Sequence, residues 1–244
     1  FSTGKEFVGA YGDHILEDAW TFGGNLTYYL PFVASSNTYL SFDYFRTQFA
    51  QQMVVDYEYS YDYNKIHFYP LNNNQSYTDN FQIDFSVDPV ERFNITATFR
   101  YTNAKIELDG KGLVEKPMTS RFKGVLNMQY ATNLNKWIFD FTASLNGSCR
   151  VYNFMENLKD ADGNLIYKNG RTPVYPMLFA QVTRRFKGWD VYLGAENLTN
   201  FRQEYAIIGA QNPYQASFDA SCIWGPLMGI KAHIGFRFTL WKKA

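Results

Sequence analysis

Apolar and polar residues alternate along the last stretch of the chain, from Met228 to Trp241. Every second position from Met228 to Leu240 is apolar, and the positions between them are mostly polar or small. A period of two predicts a β-strand with one apolar and one polar face. The length of this stretch is typical of a tilted membrane-spanning strand, which needs about 9–11 residues, because strands of soluble proteins usually have about 5–6.

The same alternation recurs in eight earlier segments, so the sequence predicts nine strands in all. The earlier strands begin near Trp20, Thr38, Phe81, Phe93, Phe122, Trp137, Leu178 and Val191. Residues 1–17 are expected to be irregular. The alternation is interrupted between Arg46 and Ala50, which predicts a β-bulge there.

Short and long connections alternate along the chain. Short turns follow the first, third, fifth and seventh strands, and one of them spans Asp88 to Arg92 and contains Pro89. Long loops near residues 54–76, 102–120, 147–175 and 198–227 follow the even strands. In an up-and-down meander, all short turns then lie at one rim and all long loops at the other, as in outer-membrane barrels. The predicted fold class is therefore all-β, an antiparallel up-and-down transmembrane β-barrel segment of about nine long strands.

Aromatic residues indicate which face of the predicted sheet meets lipid. They gather at the short-turn ends of the strands, as in an interfacial aromatic girdle. These residues are Phe32, Phe93, Tyr130, Trp137, Phe186, Trp189 and Trp241. Arg184 is the one charge on the proposed lipid face, and it lies close to a turn, where an arginine costs about 0–1 kcal/mol instead of about 2–4 at the midplane. A soluble barrel of the lipocalin kind, with its apolar face inside, is the alternative.

Nine strands do not make a complete barrel. Single-chain bacterial barrels have even strand numbers, and an open sheet leaves unpaired backbone groups in lipid at a cost of several kcal/mol each. Residues 1–244 are therefore expected to form one segment of a larger barrel, whose other strands precede Phe1 or come from another chain.

Composition excludes several other classes of protein. The 244 residues include 23 basic and 23 acidic side chains, so nothing indicates nucleic-acid binding. Cys149 and Cys222 do not have the spacing of a metal site, and the three histidines are scattered. The segment beginning at Asp160 fails the calcium-loop template, because Leu165 replaces the required glycine, and an Asp-Gly turn is expected instead. We expect no enzyme, metal or cofactor.

Two segments near the end resemble TonB-dependent outer-membrane receptors. The stretch from Tyr192 to Asn200 is similar to the penultimate-strand motif of that family, and Gly235 to Phe238 is similar to its closing strand. Residues 218–221 and 223–226 resemble a loop of a subset of these receptors. The resemblance implies the C-terminal part of a 22-stranded barrel, with the plug domain, the N-terminal strands and the TonB box outside this chain.

The resemblance also implies a function and partners. The full protein would sit in the outer membrane of a Gram-negative bacterium, contact its lipid and the TonB complex, and import a scarce nutrient. The ligand would be an iron chelate, a cobalamin, another metal complex or an oligosaccharide. Three alternatives stay open: a passive porin or structural barrel, an outer-membrane barrel enzyme, for which no Ser/His/Asp group is visible, and the soluble binder.

Two sets of residues are candidates for a functional site. A tyrosine series on one expected strand face offers a platform for ring stacking and hydroxyl hydrogen bonds, although a strand extension that packs on neighbouring loops is the more ordinary interpretation. The series comprises Tyr57, Tyr59, Tyr61 and Tyr63. Charged residues of the polar face are expected to line the barrel lumen, either against the plug and channel water or in ion-pair ladders. They are Asp84, Arg100, Asp140, Glu196 and Arg237.

Overall fold

The computed structural model describes residues 6–9, 16–30, 38–59, 65–71, 75–215 and 218–240. Twelve strands lie in these ranges, and they form one sheet. They are β1 (Glu6–Gly9), β2 (Asp18–Tyr29), β3 (Tyr39–Asp56), β4 (Lys65–Leu71), β5 (Tyr77–Val90), β6 (Phe93–Leu108), β7 (Gly112–Glu115), β8 (Phe122–Ala131), β9 (Trp137–Asn146), β10 (Tyr175–Phe186), β11 (Trp189–Glu196) and β12 (Lys231–Phe238). Short 3-10 turns occur at Asn133–Asn135, Asn153–Met155 and Lys168–Gly170, and none of the described helices is long and apolar enough to cross a membrane.

Nine of these strands form the antiparallel meander that the sequence predicts. Its order is β2-β3-β5-β6-β8-β9-β10-β11-β12, and each strand pairs with its neighbours in that order. The prediction was wrong for the segments of the other three strands, β1, β4 and β7, which were expected to be irregular. β4 pairs with the end of β3, β7 pairs with the end of β6, and β1 runs parallel to β4.

The last strand is shorter than the alternating pattern predicts. β12 begins at Lys231 instead of Met228 and ends at Phe238, while Trp241 lies outside the described residues. The first residues are held by loop side chains: Asn197 Nδ2 donates to the carbonyl oxygen of Met228 at 2.9 Å. The backbone at Met228 is hydrogen-bonded to a loop side chain, and pairing with β11 begins only at Lys231. The alternating sequence pattern therefore starts earlier than the paired strand does.

Two predicted irregularities are found near their expected places. The pairing of β2 with β3 skips Ala50, which confirms the bulge. The predicted turn from Asp88 to Arg92 is only partly correct, because β5 continues to Val90 and the turn consists of Glu91 and Arg92. The β5–β6 register is irregular between Val87 and Val90, which leaves Pro89, a residue without a backbone donor, outside the regular ladder.

The register keeps the apolar and polar residues on separate faces across the whole sheet. Leu126 lies opposite Ala97 on one side and Ala143 on the other, and the same row continues to Phe85 and Leu178. A slip of one residue would exchange the faces of a strand, so this agreement fixes each pairing. The sheet has one apolar face and one polar face.

Aromatic rings contact each other along the short-turn end of the apolar face, as predicted. Ring centroids are 6.3 Å apart for Phe93 and Tyr130, and 4.0 Å apart for Phe186 and Trp189. The guanidinium of Arg184 lies 4.8 Å from the centre of the Trp137 ring, so the one predicted charge on this face is covered by an aromatic side chain. Of the residues assigned to the girdle, Phe32 and Trp241 lie outside the described ranges.

A second aromatic row, which the sequence prediction missed, crosses the apolar face at the long-loop end. Phe81 contacts Tyr44 at 4.7 Å and Tyr101 at 6.5 Å between ring centroids. On β6 the two rows enclose the segment from Phe93 to Tyr101, about 26 Å along the strand. At the tilt of about 35–45° found in outer-membrane barrels, this segment gives a height of about 20 Å, close to their apolar band.

Beyond Tyr101 the polarity of β6 inverts. The positions that continue the apolar face are polar, namely Asn103, Lys105 and Glu107. The positions that continue the polar face are apolar and buried, namely Ala104, Ile106 and Leu108. A strand that leaves a bilayer and joins a folded layer in water requires this exchange, because its lipid-facing side then meets solvent.

The buried apolar core lies in the layer formed by the long connections. We call β4, β7, the ends of β3 and β6 that pair with them, and the described residues of the four long connections the loop layer. One buried cluster consists of Val151, Met155, Tyr167 and Cys222. A second consists of Val54, Ile106 and Leu108, packed against Tyr69, Leu71 and Val114. The loop layer is thus a packed structure and not a set of separate loops.

Candidate functional site

A buried ion pair joins two distant connections of the loop layer. Glu58, just after β3, is 4% exposed, and Arg150, just after β9, donates to its carboxylate through Nη1 at 2.9 Å and Nη2 at 2.7 Å. The backbone N–H of Asn153 donates to the same carboxylate at 2.8 Å. Arg150 Nε also donates to the carbonyl oxygen of Glu115 at 2.9 Å. This bidentate arrangement fixes the two connections relative to each other.

Glu115, at the end of β7, is a second charged junction. Arg171 donates to both carboxylate oxygens at 3.0 Å, and Arg121 Nε donates at 3.0 Å. Burial by itself raises the pKa of Glu115, but the hydrogen bonds and attraction from Arg171 and Arg121 outweigh burial and lower this pKa to about 2. Glu115 is therefore a carboxylate throughout the physiological pH range.

Tyr57 and Tyr59, the two described members of the tyrosine series, follow the end of β3 and do not share one strand face. Asp56 ends β3, and its Oδ1 accepts the backbone N–H of Glu58 at 2.7 Å, which turns the chain out of the strand. The Tyr57 ring lies 5.0 Å from that of Tyr152, whereas Tyr59 stacks on His67 at 3.9 Å. Burial, followed by the negative charge of Asp219, raises the pKa of Tyr57. Tyr61 and Tyr63 lie outside the described residues, and a ligand-binding role for the series stays a prediction.

The register places the five charged candidates on the polar face. Asp84 and Arg100 are joined through Gln82: Arg100 Nε donates to Gln82 Oε1 at 2.9 Å, and Gln82 Nε2 donates to Asp84 at 2.7 Å. Asp140 accepts a hydrogen bond from Gln129 at 2.8 Å. The structure therefore links Asp84 and Arg100 by an amide relay instead of a direct ion pair.

Glu196 and Arg237, the last two charged candidates, do not form the expected ion-pair ladder with each other. Glu196 pairs with Lys231 at 3.1 Å, whereas Arg237 lies opposite Asp190 in the β11–β12 register. Glu196 and Arg237 are thus at opposite ends of the β11–β12 pair. That these residues line a lumen stays a prediction.

An aromatic cleft of about 490 Å³ opens between the β9–β10 connection and the β11–β12 connection. Gln203 organises it, because its Oε1 accepts the backbone N–H groups of Trp224 at 2.8 Å and Gly225 at 3.0 Å. Trp224 Nε1 donates to the Tyr167 hydroxyl at 3.2 Å. No local sequence pattern predicts the roles of Gln203, Glu58 and Arg150, because their partners lie far away along the chain.

No group of three or more His, Cys, Asp or Glu side chains suited to a metal ion occurs in the ranges that the structure describes. Cys149 and Cys222 are buried and are not joined in a disulfide, and burial raises the pKa of Cys149. The segment at Asp160 forms the predicted turn: its Oδ1 accepts the backbone N–H of Asn164 at 2.8 Å, and Gly163 has a φ of 85°. The side chains of the loop layer therefore offer hydrogen bonds, charges and aromatic surfaces for binding.

No protein-family model matches the chain, and no curated protein matches its sequence. Solved structures match over most of its length. A variant of the ferric enterobactin receptor PfeA from Pseudomonas aeruginosa matches with a TM-score of 0.59 and 12% identity, over 90% of this chain and 31% of that chain. The ferric citrate transporter FecA matches with a TM-score of 0.58 and 18% identity, over the same shares.

The iron transporter FrpB from Neisseria meningitidis matches with a TM-score of 0.58 and 11% identity, over 95% of this chain and 32% of that chain. These neighbours are TonB-dependent receptors, and this chain spans about a third of their length. At such low identity the likeness establishes the fold alone. The chain has the fold of part of a TonB-dependent receptor barrel, as the resemblance of its last strands predicts.

Proposed function

We propose that this chain is the C-terminal barrel portion of a TonB-dependent receptor that binds and imports a scarce nutrient across the outer membrane of a Gram-negative bacterium. One observation carries the proposal: the apolar face is bounded by two aromatic rows, and beyond the second row the polarity of β6 inverts into a packed loop layer. The neighbours in fold, which are transporters and receptors, support it.

The polar face lines the interior of the barrel in this proposal. Asp84, Arg100 and Asp140, together with Glu196 and Arg237, then face channel water or a plug domain. Within the described residues β2 and β12 each pair on one side only. In lipid these open edges require further strands, since each unpaired backbone group costs several kcal/mol. Those strands, the plug and the contact with the TonB complex belong to the rest of the protein.

The nutrient is bound by the long-loop side. Tyr57 and Tyr59 remain candidates on that side, because both are partly accessible and aromatic. Several neighbours in fold are named for iron chelates, so an iron chelate is the first ligand to test. Cobalamin, other metal complexes and oligosaccharides are the further ligand classes.

The membrane assignment predicts that arginine is poorly tolerated on the apolar face. Ile83→Arg and Leu126→Arg each place a charge within the band, at a cost of about 2–4 kcal/mol near the midplane. We expect a large loss of folded protein from the outer-membrane fraction. The matched controls are their polar-face neighbours, Asp84→Asn and Asn127→Ser, which should assemble nearly as the parent does. Normal assembly of both arginine variants would refute the assignment.

A further inference from the structure

Positive charge is concentrated on one part of the short-turn rim, where β9, β10 and β11 end or begin. Residues 130–138 and 183–189 form this part of the rim, and they include four basic residues and no acidic one. The basic residues are Lys136, Arg184, Arg185 and Lys187. Asp190, which follows directly, lies opposite Arg185 and pairs with it at 3.5 Å. Three positive charges are left without a salt bridge to any residue in the described parts of the chain.

Arg184 is the member of this group that lies on the apolar face. It is opposite Trp137 in the β9–β10 register, and it is partly buried. Its guanidinium lies 4.8 Å from the centre of the Trp137 ring and 5.3 Å from that of Phe186. The π faces of these rings attract the cation, but they are not oxygen acceptors for its five N–H donors. The guanidinium is thus held at the level of the aromatic girdle with its hydrogen-bonding capacity left for an anion.

Two exposed lysines flank the end of β10, one in each adjoining turn. The backbone N–H of Arg185 donates to the carbonyl oxygen of Lys136 at 2.9 Å, which joins the β8–β9 turn to β10. Lys187 follows Phe186 directly, and the Phe186 ring stacks on Trp189 at 4.0 Å across the β10–β11 turn. The backbone therefore places Lys136 and Lys187 on either side of Arg184.

The β5–β6 turn at the same rim has no such surplus of charge. Its Arg92 pairs with Glu91 at 3.3 Å and donates to the Asn133 side chain at 2.7 Å. In the orientation of the proposed function, this rim faces the periplasm, and the aromatic girdle lies at the level of the lipid headgroups. The anions at that level are lipid phosphates, and a guanidinium can donate two parallel hydrogen bonds to a phosphate.

We propose that Arg184, flanked by Lys136 and Lys187, binds the phosphate of one anionic phospholipid in the periplasmic leaflet of the outer membrane. The acyl chains of this lipid lie along the apolar face. The commitment to an anionic lipid follows from charge complementarity, because three unpaired cations attract a headgroup of net negative charge and repel the ammonium of a zwitterionic one. The inference rests on the membrane orientation of the proposed function.

The test is retention of lipid by the complete protein, purified from the outer membrane in mild detergent. Phosphatidylglycerol or phosphatidylethanolamine is added at equal concentration, and bound lipid is counted by native mass spectrometry. We expect the parent to retain phosphatidylglycerol about tenfold more strongly. Arg184→Gln should lower that retention about fivefold, and the triple variant with Lys136→Gln and Lys187→Gln should lose the preference between the two lipids.

Two arginines of the same rim supply matched controls. Arg185→Gln removes the neighbouring cation, whose side chain pairs with Asp190, and Arg92→Gln removes one that pairs with Glu91. Both variants should retain phosphatidylglycerol nearly as the parent does. The place of binding is checked with a photoactivatable phosphatidylglycerol, which should crosslink within residues 130–138 or 183–189.

Equal retention of the two lipids by the parent, unchanged retention in the triple variant, or crosslinks confined to the long-loop end would each overturn the inference. Such a result in a protein that still assembles in the outer membrane leaves the proposed function intact. Normal assembly of both Ile83→Arg and Leu126→Arg would instead remove the membrane orientation, and the inference with it.

Discussion

Glu58 and Arg150 show how strongly single side chains hold the loop layer. Their ion pair is buried, with side-chain exposures of 2% and 21%, and three donors satisfy the carboxylate. Removing one partner leaves an uncompensated buried charge, which typically costs about 3–5 kcal/mol. Replacing both partners by apolar residues of similar size removes that penalty.

We therefore predict that Arg150→Met opens the loop layer more than the double variant Glu58→Met with Arg150→Met does. The measurement is limited proteolysis of the complete protein in membranes, read as the cleavage rate within residues 147–174. Arg185→Met, an exposed arginine near the other rim, is the control and should leave the rate unchanged. Equal rates in the single and double variants would show that the buried charge is not the cause.

Glu115 makes the loop layer sensitive to acid. Its pKa in the folded protein is about 2, below the ordinary value of 4.5, so its charged form stabilises the folded layer. That stabilisation is complete above pH 4.5 and is lost as the pH falls from 4.5 towards 2. We predict that the protection factors of the amides in β7 and at Arg171, which are the exchange rates corrected for the pH dependence of intrinsic exchange, fall over this pH interval.

The variant Glu115→Gln is the matched control for this titration. It cannot ionise, so its protection factors should already be lowered at pH 7 and should change less between pH 4.5 and 2. If the parent and Glu115→Gln show the same pH dependence, other carboxylates account for the acid response.

At the scale of the element, β2 contains two adjacent glycines with different surroundings. A Cβ added at Gly23 would collide with the backbone carbonyl oxygen of Tyr44, whereas a Cβ at Gly24 would meet nothing within 4 Å. The collision involves the partner strand's backbone, which cannot move without separating β2 from β3. Gly23 is thus required for close pairing of these two strands.

Alanine should have different effects on stability at Gly23 and at Gly24. We predict that Gly23→Ala destabilises the β2–β3 pair by about 1–3 kcal/mol, as overpacking usually does, and that Gly24→Ala is nearly neutral. Hydrogen exchange of the amides of β2 in the complete protein measures the difference. Similar protection in both variants would contradict the backbone collision.

The strands were more predictable from sequence than the loop layer, for a physical reason. Residues such as Phe93, Ile95 and Ala97 follow a period set by the pleat, so local sequence reveals both the strand and its faces. The pair Glu58 and Arg150 is separated by 92 positions, and no local pattern encodes such a contact. β4 and β7 were missed because short strands with mixed composition resemble irregular loops.

At the scale of the whole molecule, the proposed receptor and the alternative of a passive pore predict different ion conductances. The loop layer packs two apolar clusters and two charged junctions at the long-loop end of the sheet. We predict that the complete protein shows almost no steady ion conductance in a planar bilayer and supports growth on an iron chelate as the iron source. A large, constant conductance would instead favour the porin alternative.

The ion pair between Glu58 and Arg150 also constrains the order of assembly. In the proposed membrane orientation, one partner follows β3 and the other follows β9, so we expect the pair to form after the intervening strands are in place and their connections have crossed the membrane. Until then both charges remain hydrated, and contacts that join distant parts of a chain form slowly. We therefore expect closure of the loop layer to follow insertion of the strands from β3 to β9.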